Sequence, residues 1–175
     1  MLYSSGSGCT INDSLATVWL RRATLQKEPR AMVATAKKQL QGGEKAGAAK
    51  LFTEAAQSGN AEALYEYALF IKEYPEHKAE NPGDVIICMR NAATKGLQQA
   101  QIYIMQHEHK AQNYKEAYRW AKELSQAKRH EGTKLMADYY LNGWGVKRNK
   151  QLAADLYRTA ATEGSEEAAE ILKNM

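Results

Sequence analysis

Apolar residues recur along this chain at three- and four-residue spacing, separated by short polar breaks. The most regular stretch runs from Met136 to Leu172. Within it Leu152, Leu156 and Ala160 fall on one face, with Tyr157 and Ala161 beside them, as an amphipathic helix requires. Asn142-Gly143-Trp144-Gly145-Val146 separates this helix from the one before. Glycine takes positive φ without a Cβ penalty, so the run ends one helix and reverses the chain. Asn149 is placed to cap the next helix and Gly164 to end it. Ser165 then caps a further helix, with Glu166 and Glu167 in a first turn that favours acids.

The same periodicity predicts helices over 44–58, 60–73, 82–95, 97–110, 113–127, 131–141, 149–163 and 165–173. Asn60, Asn81 and Asn113 stand at N-cap positions, with Pro82 at a first helical position and Glu116 completing a capping box with Asn113. A longer loop is expected between Tyr74 and Gly83. Upstream, Asn12-Asp13-Ser14 caps a helix with Leu15, Val18, Trp19 and Leu25 on one face. Pro29 ends it or starts the next, and Met32, Val33, Ala36 and Leu40 continue an apolar stripe to a break at Gly42-Gly43.

One six-residue pattern repeats. Leu51 to Ala56 precedes Gly59, Cys88 to Ala93 precedes Gly96, and Leu156 to Ala161 precedes Gly164. Trp120 to Ser125 is a copy without a clean glycine. First positions are separated by 37, 32 and 36 residues (88−51, 120−88, 156−120). Periods of this size mean stacked helix pairs, because one pair cannot bury its apolar face alone.

The order Leu/Tyr, Gly-x-Gly-Val, Asn, Leu-Tyr-x-x-Ala-Ala, Gly resembles the Sel-one-like repeat (SLR) family, a relative of the tetratricopeptide repeats. Residues 136–172 match it well, 46–73 match the Ala-Ala…Gly…Ala half, and 84–127 match loosely. The resemblance implies an all-α, right-handed α/α solenoid of about four helix-turn-helix repeats, used for protein–protein interaction and without catalytic residues. Residues 11–42 fit no repeat copy and read as an N-terminal helical cap, or else as a partner-binding amphipathic segment; 1–10 read as a flexible tail and 43–175 as the solenoid. By analogy with the family, the first helix of each pair lines the concave face. Three stripes then meet the partner: Glu62, Glu66, Leu69 and Glu73; Gln99, Tyr103, Gln106 and Lys110; and Glu131, Leu135, Asp138 and Asn142. Glu66, Tyr103 and Asp138 centre this surface, opposite core positions Ala63, Ile104 and Ala137. Being acidic at one end, it suits an extended peptide or helix bearing basic residues.

Charge and composition narrow the classes. The net charge of +4 is spread unevenly: eight Lys/Arg against three acids over 1–50, five against eight over 51–110, and eleven against nine over 111–175. Basic residues are scattered among acids, which argues against nucleic acid. No apolar run approaches the roughly 20 residues that span a bilayer. Two cysteines, Cys9 and Cys88, make no disulfide framework. Ser7-Gly8-Cys9 resembles the end of a lipoprotein signal, but no basic and apolar segments precede it. The chain as given therefore reads as cytoplasmic and soluble, and as an exported periplasmic lipoprotein if the true start lies upstream.

No chemistry stands out. His107-Glu108-His109 puts its imidazoles on diverging faces and reads as an exposed helix end, not a metal site. Gly143-Trp144-Gly145 lacks the third glycine and the preceding strand of a dinucleotide site. Cys9 or Cys88 with His130 is a nucleophile pair on paper only. Phe52, Tyr118, Trp120 and Tyr157 recur at core positions, whereas Tyr65, Tyr103 and Trp144 are candidate ligand anchors. The expected function is a scaffold for a protein or peptide partner, with no cofactor and no metal. The alternatives are a regulatory subunit of an obligate complex and a cell-wall hydrolase.

Overall fold

The computed structural model describes residues 13–175; the expected tail over 1–10 and Cys9 lie outside them. The described residues form ten α-helices and one turn of 3-10 helix, with no strand. They group into two compact units that divide between Lys95 and Gly96. The first holds α1 (Asp13–Leu25), α2 (Pro29–Gln41), α3 (Lys45–Gln57) and α4 (Ala61–Glu73), then the 3-10 turn (Pro75–His77) and α5 (Val85–Thr94). The second holds α6 (Gln98–Lys110), α7 (Tyr114–Gln126), α8 (His130–Asn142), α9 (Lys150–Thr162) and α10 (Glu166–Lys173).

Helix length explains the uneven spacing read from the sequence. Every helix except α5 and α10 has 13 residues. Where a three-residue turn follows, its left-handed residue recurs every 16 positions: Lys27, Gly43 and Gly59, then Gly96, Gln112 and Lys128. Two such steps make the 32-residue spacing. The 37- and 36-residue spacings arise where a longer connector intervenes, after α4 and after α8. Gln112 and Lys128 hold φ of 61° and 54° where glycine would be at ease. A left-handed L-residue costs about 1 kcal/mol relative to glycine. Gln112→Gly and Lys128→Gly should therefore each raise the urea midpoint, by about 1 kcal/mol of stability.

In the first unit Phe52 and Phe70 stack at 5.0 Å between α3 and α4. Ala55, Ala56, Ala92 and Ala93 are buried, as the repeat pattern requires. The loop after α4 is pinned by Tyr67, whose hydroxyl accepts from Ala79 N at 2.8 Å. Its end differs from expectation. Asp84 caps α5, accepting from Ile87 N at 3.0 Å, while Asn81 and Pro82 stay in the loop. Glu28 caps α2, so Pro29 starts a helix. The hydroxyls of Thr24 and Thr35 hydrogen-bond at 2.8 Å between α1 and α2. Yet the apolar face expected of α1 is open: Val18 and Trp19 are about half exposed and Leu25 more so.

In the second unit the buried stripe of α9 is Ala153, Tyr157 and Ala160. Ala160 is buried as expected, but Ala153 and Tyr157 take the places expected for Leu152 and Leu156; Leu152 is exposed and Leu156 and Ala161 are half-buried. The capping box at α7 does not form. Asn113 turns back and donates to Glu108 Oε2 at 2.8 Å, because that buried carboxylate competes for it. Between α7 and α8 the backbones come so close that a Cβ on Gly132 would lie 2.4 Å from Ala121 O.

Candidate functional site

The first helices of the second unit, α6, α8 and α10, line an open groove of about 780 Å³. Short turns after α7 and α9 return the chain to the same side, which brings the three together. Met105 and Leu135 supply apolar lining; Gln106, Lys110, Glu131 and Lys134 supply polar lining, and α10 closes one side with Ser165, Glu166 and Glu167. Lys134 Nζ bridges Asp138 at 3.2 Å on its own helix and Glu167 at 2.7 Å on α10. Burial works against its charge, but the hydrogen bond it donates to Glu167 and the charge of Asp138 outweigh it, so its pKa stands above the ordinary lysine value. The bridge thus sets charged groups of both signs at the groove, reaching from α8 to α10.

Four of the expected contact residues meet here: Gln106, Lys110, Glu131 and Leu135. Gln99, Tyr103 and Asn142 do not line the groove. Asp138 is committed elsewhere, accepting from the buried Tyr157 hydroxyl at 2.5 Å. Burial and that carboxylate push the tyrosine pKa up. Glu62, Glu66, Leu69 and Glu73 belong to the first unit. There Glu62 pairs with Arg30 at 3.0 Å and Glu66 with Lys37 at 2.6 Å. The acidic end expected for this surface is therefore locally neutralised by α2. Sequence reasoning missed Met105 and His109, which flank the predicted α6 stripe, and missed the α10 wall. The signal available was the Ser165 cap, which marks α10 as another first helix.

Beside the groove lies an aromatic cluster that accounts for the Gly-Trp-Gly turn. Trp144 stacks on Tyr114 at 5.5 Å with an 8° interplanar angle, and meets His109 at 5.2 Å and Tyr139 at 6.0 Å. His109 Nδ1 and the Tyr139 hydroxyl are 2.9 Å apart. Tyr118 and Tyr140 share a 2.9 Å hydroxyl contact, and burial followed by that hydrogen bond pushes the Tyr118 pKa up to about 12. Trp144 is thus a packing residue of the turn. So is the histidine motif: Glu108 is buried and His109 is held by Tyr139, in contrast to the exposed end expected. Gly145 has φ of 67°, and a Cβ there would stand 3.2 Å from Tyr114 Cβ. Gly145→Val should cost about 2 kcal/mol through positive φ and displacement of Tyr114, read as a lower thermal midpoint.

Among the described residues no group of three or more His, Cys, Asp or Glu could hold a metal ion. Cys88 is fully buried, and burial followed by Asp84 pushes its thiol up to about 11. A thiol so shifted is protonated at neutral pH, the opposite of an activated nucleophile. No helix among the described residues is long and apolar enough to cross a membrane.

The Sel1 repeat family model matches residues 1–27, 106–127 and 131–165. The first match falls where sequence reading found no repeat copy. Shifting by 137 positions sets Gly6-Ser7-Gly8 on Gly143-Trp144-Gly145, Asn12 on Asn149, Ala16 on Ala153 and Ala23 on Ala160. Cys9 in place of Val146 hid this copy. No curated protein matches the chain. Among solved structures, a protective antigen of uropathogenic Escherichia coli strains with an SLR fold is 23% identical with a TM-score of 0.77, covering 98% of this chain and 38% of its own. A Sel1 repeat protein from Oxalobacter formigenes is 21% identical with a TM-score of 0.78, covering 95% of this chain and 50% of its own. The chain spans at most half of either structure, and both share its all-helical solenoid fold. The chain therefore carries Sel1 repeats in three places and shares the SLR fold over nearly its whole length.

Proposed function

We propose that this chain is a non-catalytic scaffold that holds a protein or peptide partner in the groove of α6, α8 and α10. The observation that supports this most is the lining itself: an apolar strip of Met105 and Leu135 flanked by Lys110 and Glu131. An open groove of that make-up suits an extended or helical segment that buries one apolar side chain and sets charges of both signs at its edges. Three successive first helices would each contribute contacts, which is how stacked repeats build a binding surface. Because Lys110 and Lys134 line the groove beside Glu131, Glu166 and Glu167, a uniformly basic partner is not the best fit.

The test is affinity capture from the native host with the intact chain, followed by calorimetric titration of the partner so identified. A Lys110→Glu/Leu135→Arg variant should bind at least about tenfold more weakly, since it removes the apolar contact and reverses one charge. Unchanged affinity in the folded variant would move the site away from this groove.

A further inference from the structure

We propose that one rim of the second unit docks on the surface of an anionic lipid bilayer. Two connectors build this rim, the turn between α6 and α7 and the longer one between α8 and α9. The second folds back on the first. Trp144 stacks on Tyr114 at 5.5 Å, and a Cβ on Gly145 would stand 3.2 Å from Tyr114 Cβ and 3.6 Å from Lys115 N. At the end of the longer connector Asn149 N donates to Tyr140 O at 2.8 Å and Arg148 Nε to Leu141 O at 2.9 Å. Lys115, Lys147, Arg148 and Lys150 are thereby gathered at one end of the helices, and all four are exposed.

The charge there is one-sided. Neither residues 109–115 nor residues 143–154 contain an acid. The acids that flank these segments are taken. Glu116 pairs with Arg119 at 3.4 Å, Asp155 with Arg158, and Asp138 with Lys134 and Tyr157. Among the described residues none of the four rim cations is in an ion pair. The opposite rim, at the turns after α7 and after α9, mixes Lys128 and Arg129 with Glu131, Glu163, Glu166 and Glu167. The near balance of bases and acids over 111–175 thus conceals one rim of a single sign.

The placement also works against the fold, which is a second observation. Lys115 and Lys150 stand in the first turns of α7 and α9, and Lys147 and Arg148 come just before α9. A helix N-terminus carries partial positive charge, which favours acids and disfavours cations. α9 has no acid in its first turn, whereas α10 has Glu166 and Glu167 in its own. A local rule broken by several residues at one place marks a functional surface.

Shape selects the occupant. None of the four cations lines the groove. They project from turns, on long stems, and so answer to the total negative charge before them, not to the outline of one ligand. An anionic bilayer presents that charge as a plane, and each lysine or arginine close to it strengthens binding about fivefold. Trp144, half-buried in the same connector, brings to the rim an indole, a side chain favoured at membrane interfaces.

The experiment is co-sedimentation of the intact chain with vesicles of equal parts phosphatidylglycerol and phosphatidylcholine, with phosphatidylcholine vesicles as the neutral reference. Two variants are compared, and circular dichroism checks that each is folded. Lys115→Gln/Lys147→Gln/Lys150→Gln removes charge at the rim; Lys38→Gln/Lys50→Gln/Lys122→Gln removes the same net charge elsewhere. All six lysines are exposed, and Arg148 is kept because its Nε holds the connector. The wild-type chain should partition onto the anionic vesicles and not onto the neutral ones, and should come off as salt is added. The rim variant should partition about a hundredfold more weakly, and the control variant should stay within about fivefold of wild type. A wild-type chain that stays in solution overturns the proposal, and so do two variants that lose binding alike, which would mean that net charge alone acts. Polyglutamate is the acidic-polypeptide probe. Rim-dependent binding to it, with none to the vesicles, would make the occupant an acidic protein segment and overturn the lipid assignment.

Discussion

Gly132→Ala should destabilise the second unit by about 3 kcal/mol, the upper end of what overpacking usually costs. An added Cβ would lie 2.4 Å from Ala121 O, 2.5 Å from Leu124 Cβ and 2.7 Å from Ser125 N. Two of these are backbone atoms, so no rotamer change relieves the clash; α8 must move away from α7. That movement would also disturb the neighbouring Thr133, whose hydroxyl lies 2.9 Å from Ser125 Oγ and 2.8 Å from Glu163 Oε2 in a fully buried position. The sign of the effect is diagnostic. In a helix free of neighbours Gly→Ala stabilises by about 1 kcal/mol. A urea midpoint that rises in the variant would mean that the two helices do not approach as closely as described.

The second large effect is expected of Ala160→Glu. Ala160 is fully buried in the cluster with Ala137, Ala153, Tyr157 and Ala168, and its carbonyl accepts from Ser165 N at 2.9 Å. A carboxylate there has no cation to meet and cannot reach water without parting α9 from its neighbours. An unpaired buried charge costs about 3–5 kcal/mol. Ala161→Glu serves as the control: half-buried one position on, it should cost far less. A thermal midpoint for Ala160→Glu within a degree of wild type would mean that the repeats do not stack through this residue.

Much of the architecture was legible because periodicity and glycine both report on it. The helix pairs, the buried pairs Ala55-Ala56 and Ala92-Ala93 and the caps Asn60, Asn149 and Ser165 appear as read, while of Ala160-Ala161 only Ala160 is fully buried. What misled were residues with a local rule and a stronger tertiary claimant. Asn113 has the spacing of a capping box, but Glu108 is buried beneath it and takes its amide. Leu152 looks like core and Ala153 does not, yet the buried face of α9 runs through Ala153, Tyr157 and Ala160 and leaves Leu152 exposed. Gln112 and Lys128 concealed the 16-residue step because left-handed turns are sought through glycine. At the groove, sequence spacing places residues on a helix face but cannot say how far the face turns toward its neighbours. Gln106, Lys110, Glu131 and Leu135 therefore line the groove, while Asp138 turns to Tyr157.

The uniform 13-residue helices have a consequence for how such a chain tolerates change in length. Inside a helix of this kind, one inserted residue rotates everything after it by about 100°, turning the buried alanine face toward solvent. The connectors between Tyr74 and Asp84 and between Gly143 and Asn149 are under no such constraint, since each ends at a fresh cap, Asp84 or Asn149, that restarts the helix whatever precedes it. Insertions and deletions are thus channelled into two joints, and the blocks between them can be copied only whole.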